Sequence, residues 1–205
     1  MTYDTLATDA VIEKTREALK NRSFESTVVA TRSEALELIK TFIPAGASVM
    51  NGASRTLEEI GFIEYLKSGA HGWDNLHAKV LAEKDPQKQA LLRKQSVLSD
   101  YYLGSVHAVA ETGEIVIASN TGSQLPHIVY TSPNLIFVVG TQKITPTLED
   151  AFARVQEHVI PLEDARMMSV YQSHTALNKE LILRGDPAFL GRTIRVIFVK
   201  EKLGF

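Results

Sequence analysis

The sequence predicts a single α/β domain in which a mostly parallel, open sheet carries helices on both faces. Short β-branched segments alternate with segments whose apolar residues recur at helical spacing, and the connections between them are short. Residues 135–139 also form the continuous apolar run expected of a strand buried on both faces. Because the 205 residues show no repeat or linker and suffice for one core, we predict one domain over residues 1–205.

The sequence pattern predicts alternating helices and strands in the first half of the chain. Residues 8–22 place apolar positions among charged ones at helical spacing, which predicts a surface helix at the periphery of the domain. Residues 69–80 fit neither the helical nor the strand pattern, so no element is predicted there. The other predicted elements of this half are strands over 26–31 and 48–50 and helices over 33–42, 56–67 and 85–98.

The second half is richer in predicted strands. One helix is expected over 147–158, with Thr145 or Thr147 as its N-cap. The predicted strands cover residues 99–103, 106–111, 114–118, 135–139 and 193–200.

Charge and hydropathy disfavour two classes of partner. The 22 basic and 24 acidic residues are mixed along the chain, so no basic face points to a nucleic acid. No stretch approaches the ~18–20 apolar residues of a membrane helix, and the N-terminus lacks a signal-peptide pattern. We therefore expect a cytoplasmic protein without a nucleic-acid or membrane partner. The apolar C-terminal Leu203-Gly204-Phe205 makes self-association as a homo-oligomer conceivable.

The residue inventory also limits the cofactors. The chain has no cysteine, which excludes a disulfide framework, a thiolate nucleophile and a cysteine-held iron–sulfur cluster within it. Its six histidines show no i,i+4 pair, so no metal site is predicted. We expect no cofactor in this chain, and redox chemistry would need a partner.

The first candidate site is the turn that follows the strand at 48–50, namely Asn51-Gly52-Ala53-Ser54-Arg55-Thr56. Small residues permit close approach of a ligand, while the Ser54 and Thr56 hydroxyls and the Arg55 guanidinium can donate hydrogen bonds to an anion. The alternative is an ordinary helix N-cap, since Ser54 with Glu58, or Thr56 with Glu59, has a spacing much like that of a capping box. The two interpretations are compatible.

Glu111-Thr112-Gly113 is the second candidate. As a simple hairpin turn it would leave its glutamates in solvent, but Glu111 ends an apolar run and could instead be a partly buried base or nucleophile. A third candidate is the polar loop after the strand at 114–118, with Asn120, Thr121 and Gly122. In an open α/β sheet such loops converge beyond the carboxyl ends of the strands, where ligands bind.

Several segments resemble one known family in the same order. Residues 52–61 are similar to the Gly-x-Ser-x-Thr…Glu…Ile-Gly segment of lactate-utilisation (LUD, LutC-like) proteins, and residues 99–113 resemble their Ala-Asp…Gly…Ala-Ile-Ala-Glu-Thr-Gly segment. Residues 133–151 resemble the strand and helix that come next. The C-terminal third departs from the pattern after Ser173-His174-Thr175-Ala176, although Thr175 and Asn178 are further candidates.

This resemblance implies the fold shared by glucosamine-6-phosphate deaminase, ribose-5-phosphate isomerase and coenzyme A transferases. It also implies a subunit or accessory protein in the oxidation of L-lactate to pyruvate, with iron–sulfur chemistry held by companion proteins and a small anionic or phosphorylated ligand bound here. Two alternatives remain open: a free-standing isomerase or acyl-transfer enzyme that uses Glu111, as coenzyme A transferases use a glutamate, and a ligand-binding module without turnover.

Overall fold

The computed structural model describes residues 3–205 and contains two β-sheets. The larger sheet comprises β1 (Glu25–Val29), β2 (Ser48–Asn51), β3 (Asp74–Asn75), β4 (Tyr101–Gly104), β7 (Asn134–Gly140) and β10 (Thr193–Val199). Its strands are all parallel, in the order β1-β10-β7-β4-β2-β3. This arrangement confirms the predicted mostly parallel α/β architecture.

The smaller sheet is not hydrogen-bonded to the main one, although side chains of both sheets share one hydrophobic cluster. It contains β5 (Ala108–Ala110), β6 (Ile115–Ser119), β8 (Ile144–Thr145) and β9 (Lys179–Leu183), in the order β8-β5-β6-β9. The β5–β6 pair is an antiparallel hairpin, and β6 also pairs with β9 in an antiparallel sense. The two strands predicted around residue 111 therefore belong to this second sheet.

The helices complete the fold. They are α1 (Asp9–Lys20), α2 (Arg32–Phe42), α3 (Arg55–Glu59), α4 (Phe62–Ser68), α5 (Leu76–Ala82), α6 (Pro86–Gln95), α7 (Leu148–Arg154) and α8 (Ile160–Tyr171). Thr147 caps α7 in a full capping box with Asp150, which confirms one of the two predicted N-caps. No helix within residues 3–205 is both long and apolar enough to cross a membrane.

The structure differs from the sequence prediction at two helices and contains elements that were not predicted. The helix expected over 56–67 is divided into α3 and α4, because Gly61 adopts a left-handed φ of +80°. The helix expected over 147–158 continues through a π-helical turn, Val155–Val159, into α8. Neither α8 nor β9 was predicted. None of the residues of α8 is buried, so it lacks the apolar stripe that marks a helix in sequence.

Strand β7 lies at the centre of the core and explains its continuous apolar run. Leu135, Phe137 and Val139 pack into one hydrophobic cluster, whereas Ile136 and Val138 pack into another on the opposite face. All five side chains are fully buried. Both faces of this strand therefore stabilise the fold, and β2, β4 and β7 all point their carboxyl ends to the same edge of the sheet.

Candidate functional site

A cleft of about 410 Å³ opens at the carboxyl-terminal edge of β2 and β4. Such a volume lies within the usual range for small-molecule sites in proteins. The turn after β2, the loop after β6 and helix α8 all contribute residues to its lining. The polar lining residues include Asn51, Ser54, Arg55, Thr56, His77, Arg93, Tyr102, Ser105, His107, Asn120, Thr121, Gln124, Lys143 and Thr175.

Lys143 is a buried cation in this lining. It ends a 3₁₀ turn directly after β7 and is only 3% exposed. Its Nζ donates hydrogen bonds to Thr56 Oγ1 at 3.2 Å, Ser105 Oγ at 3.1 Å and the Val106 carbonyl at 3.2 Å. No carboxylate of the described residues forms an ion pair with it. The site therefore holds a positive charge that lacks a direct counter-charge.

The surroundings of Lys143 shift its protonation equilibrium. Burial, and to a smaller extent the positive charge of buried Arg154, lower the pKa of Lys143 to about 7, while Glu59 opposes both effects. Near neutral pH the side chain is thus divided between the ammonium and the neutral amine. A bound anion would favour the ammonium form, because an opposite charge nearby stabilises it.

The C-terminal residues cover Lys143 from one side. Gln142 Nε2 donates to the Leu203 carbonyl at 2.8 Å, and the Gly204 N–H donates to Glu59 Oε2 at 2.8 Å. A side chain at Gly204 would begin 2.5 Å from Thr56 Oγ1 and 3.1 Å from Lys143 Nζ, so only glycine fits there. The apolar tail predicted as a self-association surface is therefore engaged within the chain, with Leu203 fully buried.

The turn after β2 contributes the first predicted site residues to the cleft. Asn51, Gly52, Ser54, Arg55 and Thr56 all line it. Ser54 also acts as the N-cap of α3, accepting a hydrogen bond from the Leu57 N–H at 3.3 Å, so the capping interpretation holds as well.

Two features limit how this turn can bind a ligand. The Arg55 guanidinium is engaged with both Glu58 and Glu59 at 3.2 Å, which leaves Lys143 as the less compensated cation. At Gly52 the backbone approaches Tyr102 so closely that a side chain would meet its hydroxyl at 2.5 Å.

Three histidines line the cleft in different states. Nδ1 of His77 lies 3.1 Å from the Asn51 carbonyl, whereas Nδ1 of His107 accepts the Ala118 N–H at 3.0 Å. Burial, assisted by the charges of Lys143 and Arg154, lowers the pKa of His107 to about 3. His127 stacks on Tyr102 with ring centroids 4.5 Å apart, and burial lowers its pKa to about 4. His107 and His127 are therefore neutral at physiological pH.

The loop after β6 supplies another part of the cleft lining. Asn120 and Thr121 line the cleft, whereas Gly122 lies just outside it and forms the loop's turn with a φ of +83°. Asn120 Oδ1 accepts a hydrogen bond from Asn178 Nδ2 at 2.7 Å, and its own Nδ2 donates to Thr175 Oγ1 at 3.4 Å. The C-terminal third thus holds this loop against the cleft.

Glu111, Thr112 and Gly113 are placed elsewhere. They form the β5–β6 hairpin turn, and none of them lines the cleft. The Glu111 side chain is 16% exposed, and its Oε2 lies 2.8 Å from Lys14 Nζ of α1. The catalytic role assigned to Glu111 stays a prediction.

Sequence reasoning did not select Lys143, His77, His107 or Tyr102 as site residues. The one available signal concerned Lys143, a charged residue that follows a buried strand at the sheet edge where ligands bind. Nothing in the local sequence distinguishes the two histidines from structural ones.

Comparisons with known proteins agree with this architecture. No curated protein matches the sequence. The fold is similar to the crystal structure of a DUF162 family protein from Deinococcus radiodurans, with a TM-score of 0.54 and 13% identity over 95% of this chain and 98% of that one. The sequence profile of the LUD domain matches residues 12–177, which is most of the chain. The chain therefore belongs to the LUD domain family.

Proposed function

We propose that this chain is a lactate-utilisation protein of the LutC-like type that binds a small carboxylate or phosphate in the cleft. The observation that carries the proposal is Lys143, a buried lysine side chain without a carboxylate partner in the lining of a polar cleft. Burying an uncompensated charge is costly, so a negatively charged ligand would stabilise this arrangement. The Thr56 and Ser105 hydroxyls beside Nζ donate to the Leu203 and Val106 carbonyls at 3.4 Å, and they would turn from these long hydrogen bonds to donate to the same anion.

The proposed role also includes protein partners. Lactate oxidation transfers two electrons, and a chain without cysteine cannot ligate an iron–sulfur cluster through thiolates. Membership of the LUD domain family supports a role in lactate utilisation at the level of the family. We propose that iron–sulfur partner proteins carry the electrons while this chain supplies a small-molecule site or a docking surface.

The anion site is tested by measuring ligand-induced stabilisation with L-lactate, pyruvate, inorganic phosphate and sulfate. A ligand at 100 times its dissociation constant contributes about 2.7 kcal/mol to the free energy of unfolding. We expect at least one of these anions to stabilise the wild type and Lys143→Met to abolish the shift. Lys84→Met is the matched control, because Lys84 is exposed and remote from the cleft lining.

Equal stabilisation of the wild type and Lys143→Met, or none in either, would exclude the proposed anion site. The partner role is tested separately by capturing the tagged chain anaerobically from its source organism and recording iron content and iron–sulfur absorbance. We expect the Lys143→Met variant to capture the same partners, since Lys143 is 3% exposed and its replacement leaves the outer surface unchanged. Capture without iron–sulfur proteins would contradict the partner role.

A further inference from the structure

His77 presents an unused hydrogen-bond acceptor in the cleft. Its Nδ1 lies 3.1 Å from the backbone carbonyl of Asn51, and a carbonyl oxygen can only accept a hydrogen bond. Nδ1 therefore carries the proton, and in the neutral ring Nε2 carries the lone pair. Within residues 3–205 nothing donates a hydrogen bond to this Nε2.

Asn51, which also lines the cleft, has a second unused hydrogen-bond acceptor. The residue is 3% exposed, and its Oδ1 has no hydrogen-bond partner among the described residues. Its Nδ2 donates to the Gly52 carbonyl at 3.1 Å, which fixes the orientation of the amide, because two carbonyl oxygens would repel each other there. A buried acceptor without a donor is costly, so the cleft is complementary to a ligand that brings one.

We propose that His77 and Asn51 are specificity-determining residues that select anions carrying a hydroxyl or amino group next to their negative charge. This inference rests on the proposed anion site, in which Lys143 binds the charged group. The neighbouring hydroxyl of the ligand then donates its one proton to His77 Nε2 or to Asn51 Oδ1, whereas an amino group has enough protons to donate to both. A carbonyl oxygen in that position would instead face two lone pairs, so the oxo counterpart of the same anion is disfavoured.

The contacts of the other cleft histidines do not assign them this function. Nδ1 of His107 accepts the Ala118 N–H, so its proton resides on Nε2, which can only donate. Nδ1 of His127 contacts the Ser99 and Ser132 hydroxyls at 3.3 and 3.1 Å, and a hydroxyl can donate or accept, so these contacts leave its tautomer open. Among the cleft histidines of the described chain, His77 is the one whose partner, a carbonyl oxygen, fixes Nε2 as the acceptor of the neutral ring.

The test compares three carboxylates of equal chain length by calorimetry: L-lactate with a hydroxyl, pyruvate with a carbonyl, and propionate with neither. We expect the wild type to bind lactate about tenfold more tightly than either analogue, the value of one good hydrogen bond. His77→Phe should lower the lactate affinity to that of propionate without changing propionate binding, and Asn51→Ala should act in the same direction. His174→Phe is the control, since His174 is exposed and outside the lining.

The outcomes separate the two proposals. Equal affinity for the three probes in the wild type, or a lactate preference that survives His77→Phe, overturns the specificity inference and leaves the anion site standing. If none of the three probes nor sulfate binds, both proposals fail. Should the variants not fold, ¹H–¹⁵N correlations of the wild-type imidazole rings decide: the proton must lie on Nδ1 of His77, and a proton on Nε2 instead overturns the inference.

Discussion

Anion binding in the cleft is expected to weaken as the pH rises through 7, because Lys143 must be protonated to hold a negative charge. With the pKa of Lys143 lowered to about 7 by burial and by Arg154, the ammonium form falls from about 90% at pH 6 to about 10% at pH 8. The affinity for an anion of constant charge, such as lactate or sulfate, is then about tenfold lower at pH 8 than at pH 6.

Isothermal titration calorimetry at pH 6, 7 and 8, in buffers of different ionisation enthalpy, measures both the affinity and the linked proton uptake. At pH 7 each bound anion is expected to take up about half a proton. Lys143→Arg is the informative variant, since its guanidinium stays charged and should bind with no pH dependence over this range. An affinity that is constant from pH 6 to 8 in the wild type, or that falls equally in Lys143→Arg, would refute the reasoning.

Three further results are expected. The pKa of Lys143 lies below its unfolded value, so from pH 7 to 10 the unfolded chain binds more protons; chemical denaturation should show wild-type stability rising with pH relative to Lys143→Met, by up to about 1.4 kcal/mol per pH unit. Gly204→Ala places a methyl group 2.5 Å from Thr56 Oγ1 at a φ of +63° and should cost about 1–3 kcal/mol in urea unfolding; no loss would show that the tail lifts freely. Glu111→Gln removes a partly exposed pair with Lys14, so it should cost less than about 1 kcal/mol and leave anion binding intact, and a loss of binding or turnover would instead favour Glu111 as a catalytic residue.

The parallel sheet could be predicted because its central strand is encoded locally. Residues 135–139 are apolar without alternation, and only a strand with two covered faces requires that pattern. The turn after β2 was likewise predictable, since small residues at the end of a strand lead into a helix start at Ser54. By contrast, α8 could not be predicted, because a helix without buried residues leaves no periodic signal.

What the sequence by itself determined is thus the class of fold, and the turn and loop that contribute to the lining of the candidate cleft. The tertiary structure decided the chemistry within that cleft. Lys143 has a lowered pKa because it is buried near Arg154, and the tail that helps to cover it is bound through Leu203 to Gln142, 61 residues earlier. Glu111 lies outside the cleft and pairs with Lys14, 97 residues earlier. The ring of His77 is oriented by its hydrogen bond to the Asn51 carbonyl. Burial and hydrogen-bond partners depend on contacts between distant segments, and periodicity along the chain reports only on neighbours.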